Sequence, residues 1–494
     1  MAHPTVVIDV VGLTGSLIGA ASPRIAALAG KGRVQQLRPV LPAVTCAVQS
    51  SMLTGLEPSG HGIVGNGWYD RESAEVRFWR QSNHLVAGEK VWETARARDP
   101  SVTTCSMFWW FNMYSSAEYS VTPRPIYAAD GRKVPDVYSA PAQLRDNLQE
   151  RFGRFPLFHF WGPAASIVSS RWIADASMFV HGQYRPTLTL IYLPHLDYAL
   201  QKLGPDHPEI PTHVAEIDAV VGSLLDYFEA EGVRVVLLSE YGIEAVSRVI
   251  RVNRVLREAG LLRVREEHGG ELLDAGASRA FAVADHQVAH VYVADPAFLD
   301  GVESVCRDLD GVAGVIKPFH PRAGDLVLVA DEGCWFSYDY WLDDRRAPDF
   351  ARTVDIHRKP GYDPVELFAD PAIPLLPLKV AWILAKKHLG FRYLMDVIPL
   401  DASLVRGSHG RITDDPDQGP LTNTALVWTS SRDGALGTGA AVSFRRHIDK
   451  TIAFPIDPWF QLGDPRLLLA LIFVVIGLAV GWHGARSQRA EGGL

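Results

Sequence analysis

Residues 187–239 read TLTLIYLPHLDYALQKLGPDHPEIPTHVAEIDAVVGSLLDYFEAEGVRVVLLS and contain the pattern that indicates the fold class. Its two short apolar runs, residues 187–193 and 233–239, are typical of strands buried on both faces, and residues 212–231 between them show a helix pattern. Residues 5–11 (TVVIDVV) form a third such run, which a helix pattern also follows. Apolar strands that alternate with helices predict an α/β fold with a mainly parallel, doubly wound sheet.

The composition excludes several classes of protein. The chain has 494 residues, of which 47% are hydrophobic and 21% charged, and a formal net charge of -8. These values exclude a disordered chain and give no excess of Lys and Arg for general nucleic-acid binding. The 4 cysteines are scattered without a CxxC pair, which is typical of buried thiols in a reducing compartment. The N-terminus lacks the basic and apolar regions of a signal peptide, so we expect a cytoplasmic location.

The pattern changes twice along the chain. Residues 246–335 show short strands around one helix, which predicts a small α+β insert in a core made of residues 1–245 and 336–420. Residues 421–494 form an atypical tail with an uncharged apolar run, LLLALIFVVIGLAVGW, at 467–482. That run would span about 24 Å as a helix, which leaves a C-terminal membrane anchor and a buried tail equally open.

Acidic residues stand at or just after the ends of the three predicted strands. Asp9 lies near the end of the first, and Asp197 and Glu240 follow the other two. In open parallel sheets, ligands bind beyond the carboxyl ends of the strands. The sequence therefore predicts that these three carboxylates meet at a binding site.

Residues 38–70, RPVLPAVTCAVQSSMLTGLEPSGHGIVGNGWYD, contain a Thr, then Thr-Gly, then His-Gly-Ile with an Asn. This stretch resembles the nucleophile region of the nucleotide pyrophosphatase/phosphodiesterase family, within the alkaline phosphatase superfamily. The resemblance implies an alkaline-phosphatase-like fold, Thr45 as the nucleophile and Asn66 as a phosphate-binding donor. Residues 46–54 also show a helix pattern, which would place Thr45 at a helix N-terminus, where free amides favour phosphate.

Three further segments resemble the family's metal-binding motifs, with departures. Gln201 stands where the family has a His, four residues after Asp197. Glu240 and Tyr241 stand in place of an adjacent Asp and His, and Asp9 lies two residues before the usual place of the first ligand. The resemblance implies two ligand sets, which are Asp9, Thr45 and Glu240 for one metal and Asp197, Gln201 and His409 for the other.

Four other residues are weaker candidates for this site. Tyr241 would be a reluctant metal ligand, because a phenol is neutral near pH 7. His195 could supply an imidazole in place of the one missing at Gln201. His357 and Arg358, in the charged stretch WLDDRRAPDFARTVDIHRKPGYDP, could replace lost metal or phosphate contacts, although a solvated loop with ion pairs is the simpler interpretation.

The resemblance implies an enzyme with two divalent metal ions. Because the candidate ligands are rich in oxygen, we expect manganese, magnesium or calcium, whereas the family resemblance alone favours zinc. The first functional hypothesis is a hydrolase of a small phosphodiester or nucleotide-like substrate, with a phospho-threonine intermediate. The alternatives are a non-catalytic ligand-binding or partner-binding descendant, and a phosphomonoesterase, sulfatase or phosphoryl transferase that uses the same site.

Overall fold

The structure is a computed structural model that describes residues 3–129, 132–318 and 320–424. Its strands are β1 (Thr5–Val10), β2 (Arg33–Gln36), β3 (Gly67–Asp70), β4 (Glu75–Phe78), β5 (Thr104–Met107), β6 (Tyr119–Pro123), β7 (Ile126–Tyr127), β8 (Lys133–Val134), β9 (Val137–Ala140), β10 (Leu188–Leu193), β11 (Arg234–Leu238), β12 (Glu244–Ala245), β13 (Arg248–Ile250), β14 (Val264–Glu267), β15 (Gly270–Leu273), β16 (Ala280–Asp285), β17 (Val288–Val293), β18 (Val312–Ile316), β19 (Leu326–Ala330), β20 (Cys334–Phe336), β21 (Gly407–Ser408) and β22 (Leu421–Thr424). Its α-helices are α1 (Pro23–Lys31), α2 (Thr45–Thr54), α3 (Pro58–His61), α4 (Val91–Arg98), α5 (Gln143–Phe152), α6 (Leu157–Phe160), α7 (Ile167–Tyr184), α8 (His195–Leu203), α9 (Ile210–Ala230), α10 (Val252–Glu258), α11 (Leu299–Arg307) and α12 (Leu376–His388).

An eight-stranded sheet in the order β2-β22-β11-β1-β10-β5-β6-β9 forms the centre of the molecule. Strands β11, β1, β10, β5 and β6 run parallel, and β22 and β9 pair antiparallel with their inner neighbours. Every residue of β1 and β10 is buried, because helices cover both faces. The predicted α/β fold with a mainly parallel sheet is confirmed.

The three strands predicted from apolar runs are neighbours in this sheet. Strand β1 pairs with β10 on one side and with β11 on the other. The helix pattern after β10 is also present, as α9, and its Asp218 accepts hydrogen bonds from the backbone N–H groups of Arg24 and Ile25 at the start of α1. These contacts fix α1 against α9 and satisfy N–H groups that a helix N-terminus leaves free.

Residues 421–424 lie just after the predicted core boundary at residue 420, at the beginning of the predicted tail. They form β22, which fills the place between β2 and β11 in the central sheet. Their partners in the antiparallel pairing, β2 and β11, are distant in sequence, so no local pattern indicates this pairing. The central sheet therefore includes the beginning of the predicted tail.

A second sheet lies within residues 246–335. Strands β16, β17, β19 and β18 form an antiparallel sheet in that order, and α11 packs against β18. The tight β16–β17 hairpin brings residues 285–287 toward the carboxyl edge of the central sheet, where the backbone N–H of Gln287 donates to the His409 carbonyl. The domain boundaries given above stay predictions.

None of the helices in the described residues has the length and apolar character needed to cross a membrane. The apolar run at 467–482, predicted as either an anchor or a buried tail, lies outside the described residues.

Candidate active site

The carboxyl ends of three adjacent strands bring the predicted carboxylates together. Asp9 is the penultimate residue of β1, Glu240 follows β11, and Asp197 lies in the first turn of α8 after β10. All three side chains are buried. Gln49 of α2 links two of them, because its Nε2 donates to Glu240 Oε1 at 2.6 Å and lies 3.4 Å from Asp9 Oδ2.

Thr45 lies beside these carboxylates at the first position of α2. The chain enters the helix from Val44 in an extended conformation, which places the Thr45 side chain at the helix N-terminus. The Thr45 hydroxyl Oγ1 is 2.8 Å from the Tyr241 hydroxyl, and Thr45 is only 4% exposed. The predicted nucleophile and the tyrosine at an expected ligand position are therefore in direct contact.

The three carboxyl groups lie in a strongly unfavourable environment for negative charge. Burial, together with the charge of Glu240, raises the pKa of Asp9 well above its ordinary value, and burial also raises the pKa of Glu240. Burial raises the pKa of Asp197 to about 8. Within the described ranges, no Lys or Arg forms an ion pair with them, and Asp9 Oδ1, Glu240 Oε2 and Asp197 Oδ1 are buried without a hydrogen-bond partner. A cation at this site would relieve that energetic cost.

The second predicted ligand set is only partly suited to a metal. His409 Nε2 is 3.7 Å from Asp197 Oδ1, and His409 Nδ1 donates to the Ala43 carbonyl, which leaves Nε2 with its lone pair. Gln201, however, donates from Nε2 to Asp197 Oδ2 at 2.9 Å and accepts from the Tyr362 hydroxyl at Oε1. Its carbonyl oxygen is thus already engaged and does not point to Asp197.

Asn66 is held from two sides. Its Oδ1 accepts from the Cys46 backbone N–H at 3.0 Å, and its Nδ2 donates to Asp285 Oδ1 at 3.1 Å. An amide nitrogen has two hydrogens, so one N–H remains for a ligand. Asp285 also accepts from the Asn66 backbone N–H, and burial raises its pKa to about 6.

Sequence reasoning missed the β16–β17 hairpin as part of this site. His286 lies at its tip with a φ of +61°, and its Nδ1 is 2.8 Å from Asp285 Oδ1. Its ring stacks on Tyr362, with ring centroids 3.6 Å apart, and lies 3.8 Å from that of His409. The Nε2 atom is buried without a partner. The sequence offered one signal, the polar triplet Asp-His-Gln between two apolar strands, but did not indicate that this triplet lies next to Asn66 and His409.

A cavity of about 970 Å³ opens onto these residues. Thr45, Asn66, Asp197, Tyr241 and His286 line its inner end together with His409. Most other lining side chains are aromatic or apolar and include Trp79, Trp110 and Trp161. The exposed side chains of Phe158 and Leu384 form the outer wall together with Leu376 and Tyr393.

Two of the weaker candidates line the same cavity. Arg358 is about half exposed and pairs with Asp349 at 2.7 Å, and His357 Nδ1 is 3.4 Å from the Phe78 carbonyl. The structure gives neither residue a contact with the predicted metal ligands. Their suggested role as replacements for lost metal or phosphate contacts stays a prediction.

His195 lies apart from the predicted ligand sets, although it is only two residues before Asp197. Its Nε2 is 3.0 Å from Glu216 Oε2, and burial lowers its pKa to about 3. The suggestion that it substitutes for the imidazole missing at Gln201 has no support in these contacts.

A family model described as type I phosphodiesterase/nucleotide pyrophosphatase matches residues 5–363. The chain belongs to this family. An uncharacterized pyrophosphatase/phosphodiesterase of Schizosaccharomyces pombe is 24% identical over 237 residues, which are 46% of this chain and 41% of the relative. Ectonucleotide pyrophosphatase/phosphodiesterase family member 1 of Rattus norvegicus is 24% identical over 245 residues, 47% of this chain and 22% of the relative. The chain thus matches less than half the length of either relative.

Solved structures show the same fold. Phosphonoacetate hydrolase from Sinorhizobium meliloti, in complex with phosphonoformate, aligns with a TM-score of 0.57 at 15% identity over 92% of this chain and 96% of that one. An inactive form of murine ectonucleotide pyrophosphatase/phosphodiesterase 5, in complex with AMP, aligns with a TM-score of 0.53 at 14% identity over 92% of this chain and 97% of that one. The alkaline-phosphatase-like fold expected from the sequence is confirmed.

Proposed function

We propose that this chain is a metal-dependent hydrolase of phosphodiester or pyrophosphate bonds, with Thr45 as the nucleophile. One observation carries the proposal: a buried Thr at a helix N-terminus opens onto a cavity and lies near carboxylates that each have one oxygen without a partner. Family membership supports the reaction class, and the AMP and phosphonoformate complexes of the similar folds support a small phosphorus-containing substrate.

The residues around Thr45 fit one divalent cation well. Asp9, Glu240 and Thr45 would hold it, because two buried carboxylate oxygens there have no partner. When bound, such a cation supplies the positive charge that lowers the pKa of the Thr45 hydroxyl and balances charge on the phosphoryl group. The oxygen-rich donor set favours manganese, magnesium or calcium.

The second set fits a cation less well. Asp197 Oδ1 and His409 Nε2 are available, but the Gln201 oxygen is engaged by Tyr362. A second ion would therefore have fewer protein ligands than the first, with Asp197 and His409 as its side-chain donors.

The side chains themselves suggest how the reaction proceeds. Thr45 Oγ1 attacks phosphorus, the bond to the leaving alcohol breaks, and the Thr45 proton ends on that alcohol. Burial raises the pKa of Tyr241 well above its ordinary value, so its neutral hydroxyl can donate to Thr45 Oγ1 while that oxygen carries negative charge. The remaining N–H of Asn66 contacts a phosphoryl oxygen. Water then cleaves the phospho-threonine and restores the hydroxyl.

The test is a pair of variants at the nucleophile. Thr45→Ala should abolish hydrolysis of a p-nitrophenyl phosphodiester with added manganese, whereas Thr45→Ser should retain measurable activity, because the hydroxyl remains. Mass spectrometry of the quenched wild-type reaction should show Thr45 carrying the phosphoryl group with the second ester group of the substrate still attached, and the released product should be the phosphomonoester. Equal activity of Thr45→Ala and the wild type would refute the mechanism.

A non-catalytic function is the second candidate, since Gln201 and Tyr241 replace two imidazoles and are both satisfied by hydrogen bonds within the protein. It predicts no turnover by the wild type with manganese, magnesium, calcium or zinc, combined with binding of the same diester.

The aromatic and apolar side chains that line the cavity favour a phosphodiester, which has two organic groups on phosphorus. Phosphomonoesters and sulfate monoesters have only one such group and would leave more of this surface uncovered.

A further inference from the structure

Three metal-binding side chains converge at a point outside the candidate active site. His195 Nε2, His213 Nδ1 and Glu216 Oε2 form a triangle with sides of 3.0 Å from His195 to Glu216, 3.4 Å from His213 to Glu216 and 3.3 Å between the two imidazoles. Among the described residues, this is the one group of at least three His, Cys, Asp or Glu ligand atoms that all lie within 4.8 Å of one another. The ligand sets near Thr45 each contain only two residues of those types.

Two helices bring these groups together. His195 is the first residue of α8, and His213 and Glu216 lie one turn apart near the start of α9, so that they share one face of that helix. The two helices pack against each other. His195 is buried, whereas the His213 and Glu216 side chains are 27% and 36% exposed, which leaves one side of the triangle open to water.

The size of the triangle suits a tetrahedral metal. Zinc binds His nitrogen and carboxylate oxygen at about 2.0–2.1 Å, and the ligands of a regular tetrahedron of that size are about 3.3 Å apart. Two imidazoles and one carboxylate with an open fourth position form a known type of zinc site. Glu216 also supplies the negative charge that two neutral imidazoles lack.

We infer that His195, His213 and Glu216 bind a zinc ion whose fourth ligand is water. The ion links the start of α8 to α9. Because α8 also carries Asp197 and Gln201, zinc at this position stabilises the helix that supplies part of the candidate active site. The inference does not depend on the proposed function, since no residue of the triangle contacts Thr45 or lines the cavity.

The experiment compares the zinc content of variants of the full chain. After dialysis against zinc and then against metal-free buffer, the double variant His213→Ala/Glu216→Gln should hold one zinc equivalent less than the wild type. Zinc should also raise the melting temperature of the wild type more than that of the variant, and the visible spectrum of tetrahedral cobalt should be lost from the cobalt-loaded variant. Thr45→Ala should retain this zinc, so failure of the hydrolase proposal is a separate outcome.

A matched control changes the same residue types elsewhere. The double variant His388→Ala/Glu229→Gln removes an exposed imidazole from α12 and an exposed carboxylate from α9, and should keep the wild-type zinc content. Equal zinc content and equal cobalt spectra in the His213/Glu216 variant and the wild type would show a hydrogen-bonded triad without metal. If that variant does not fold, anomalous scattering from a zinc-soaked wild-type crystal decides: a peak bonded to all three atoms supports the site, and its absence overturns it.

Discussion

Tyr241 stands at a position where the family resemblance implies a histidine. Its hydroxyl lies 2.8 Å from Thr45 Oγ1, and its ring stacks on His409 with the centroids 3.7 Å apart. The ring therefore packs against the His409 imidazole while the hydroxyl contacts Thr45, the proposed nucleophile. A substitution that removes only the hydroxyl of Tyr241 would therefore remove the contact with Thr45 and keep the ring contact with His409.

Tyr241→Phe should lower kcat for a p-nitrophenyl phosphodiester by about ten- to a hundredfold with little change in KM, because a hydrogen bond to a charged oxygen contributes about 1.5–3 kcal/mol. The stacked ring remains, so stability should change little. Steady-state kinetics and thermal melting measure the two effects. Tyr227→Phe, which removes a hydroxyl bonded to His181 outside the cavity, is the control. Unchanged kcat in Tyr241→Phe would show that the phenol does not assist Thr45.

The sequence predicted the three carboxylates at one site because each lies at or just after the end of a predicted strand, and it predicted Thr45 and Asn66 through the resemblance of residues 38–70 to the family's nucleophile region. It could not predict the role of Asp285 and His286, because their contacts with Asn66 and His409 join segments more than a hundred residues apart. Nor could it predict the orientation of Gln201, which depends on the hydroxyl of Tyr362. Residue identity gives the available atoms, and only the folded chain shows which of them are already engaged.

At the scale of elements, buried neutral histidines fix the segment between α2 and β3 that carries Asn66. His61 Nδ1 accepts from the Ile63 backbone N–H, and Nε2 donates to Ser51 Oγ at 2.8 Å. His290 of β17 acts in the same way, because its Nε2 donates to the Val64 carbonyl and its Nδ1 accepts from Gly324 N–H. A second proton on either ring would break a hydrogen bond.

This arrangement predicts loss of stability in acid. Burial, with His320 and Arg322 nearby, lowers the pKa of His61 to about 3. In the unfolded chain His61 binds a proton near pH 6.5, whereas in the folded chain it stays neutral at that pH. The contribution of neutral His61 to the free energy of unfolding is therefore complete above about pH 6.5 and is lost as the pH falls toward 3. Between pH 7.5 and 5, His61 alone should remove about 2 kcal/mol from the free energy of unfolding.

Urea denaturation at the two pH values tests this prediction. His61→Asn should be less stable than the wild type at pH 7.5 but should lose about 2 kcal/mol less between pH 7.5 and 5. His388→Asn, on the exposed face of α12, should keep the wild-type pH dependence. An identical pH dependence in His61→Asn and the wild type would mean that His61 is protonated equally in the folded and unfolded chains.

At the scale of the whole molecule, three parts of the fold build one cavity. Elements at the carboxyl edge of the central sheet supply Thr45, Asp197 and Tyr241, the antiparallel sheet supplies the His286 hairpin, and α12 supplies part of the outer wall. On α12, Leu384 lines the cavity while it is 47% exposed, and Leu378 and Trp382 on the same helix are more than 60% exposed. Such a concentration of exposed apolar side chains is uncommon on a soluble protein and is typical of a binding surface.

An apolar outer wall should favour a diester with an alkyl group over one with a polar nucleoside group. With p-nitrophenol as the shared leaving group, we expect kcat/KM for octyl p-nitrophenyl phosphate to exceed that for p-nitrophenyl thymidine 5′-phosphate by about tenfold or more, since burial of each methylene contributes about 0.8 kcal/mol. Leu384→Glu should reduce kcat/KM for the octyl ester while leaving that for the methyl ester unchanged, because only the longer chain reaches α12. Leu378→Glu places the same charge on an exposed position of that helix outside the cavity and should leave both esters unaffected. A preference for the thymidine ester that survives Leu384→Glu would instead mean that the aromatic side chains of the cavity wall bind a nucleobase.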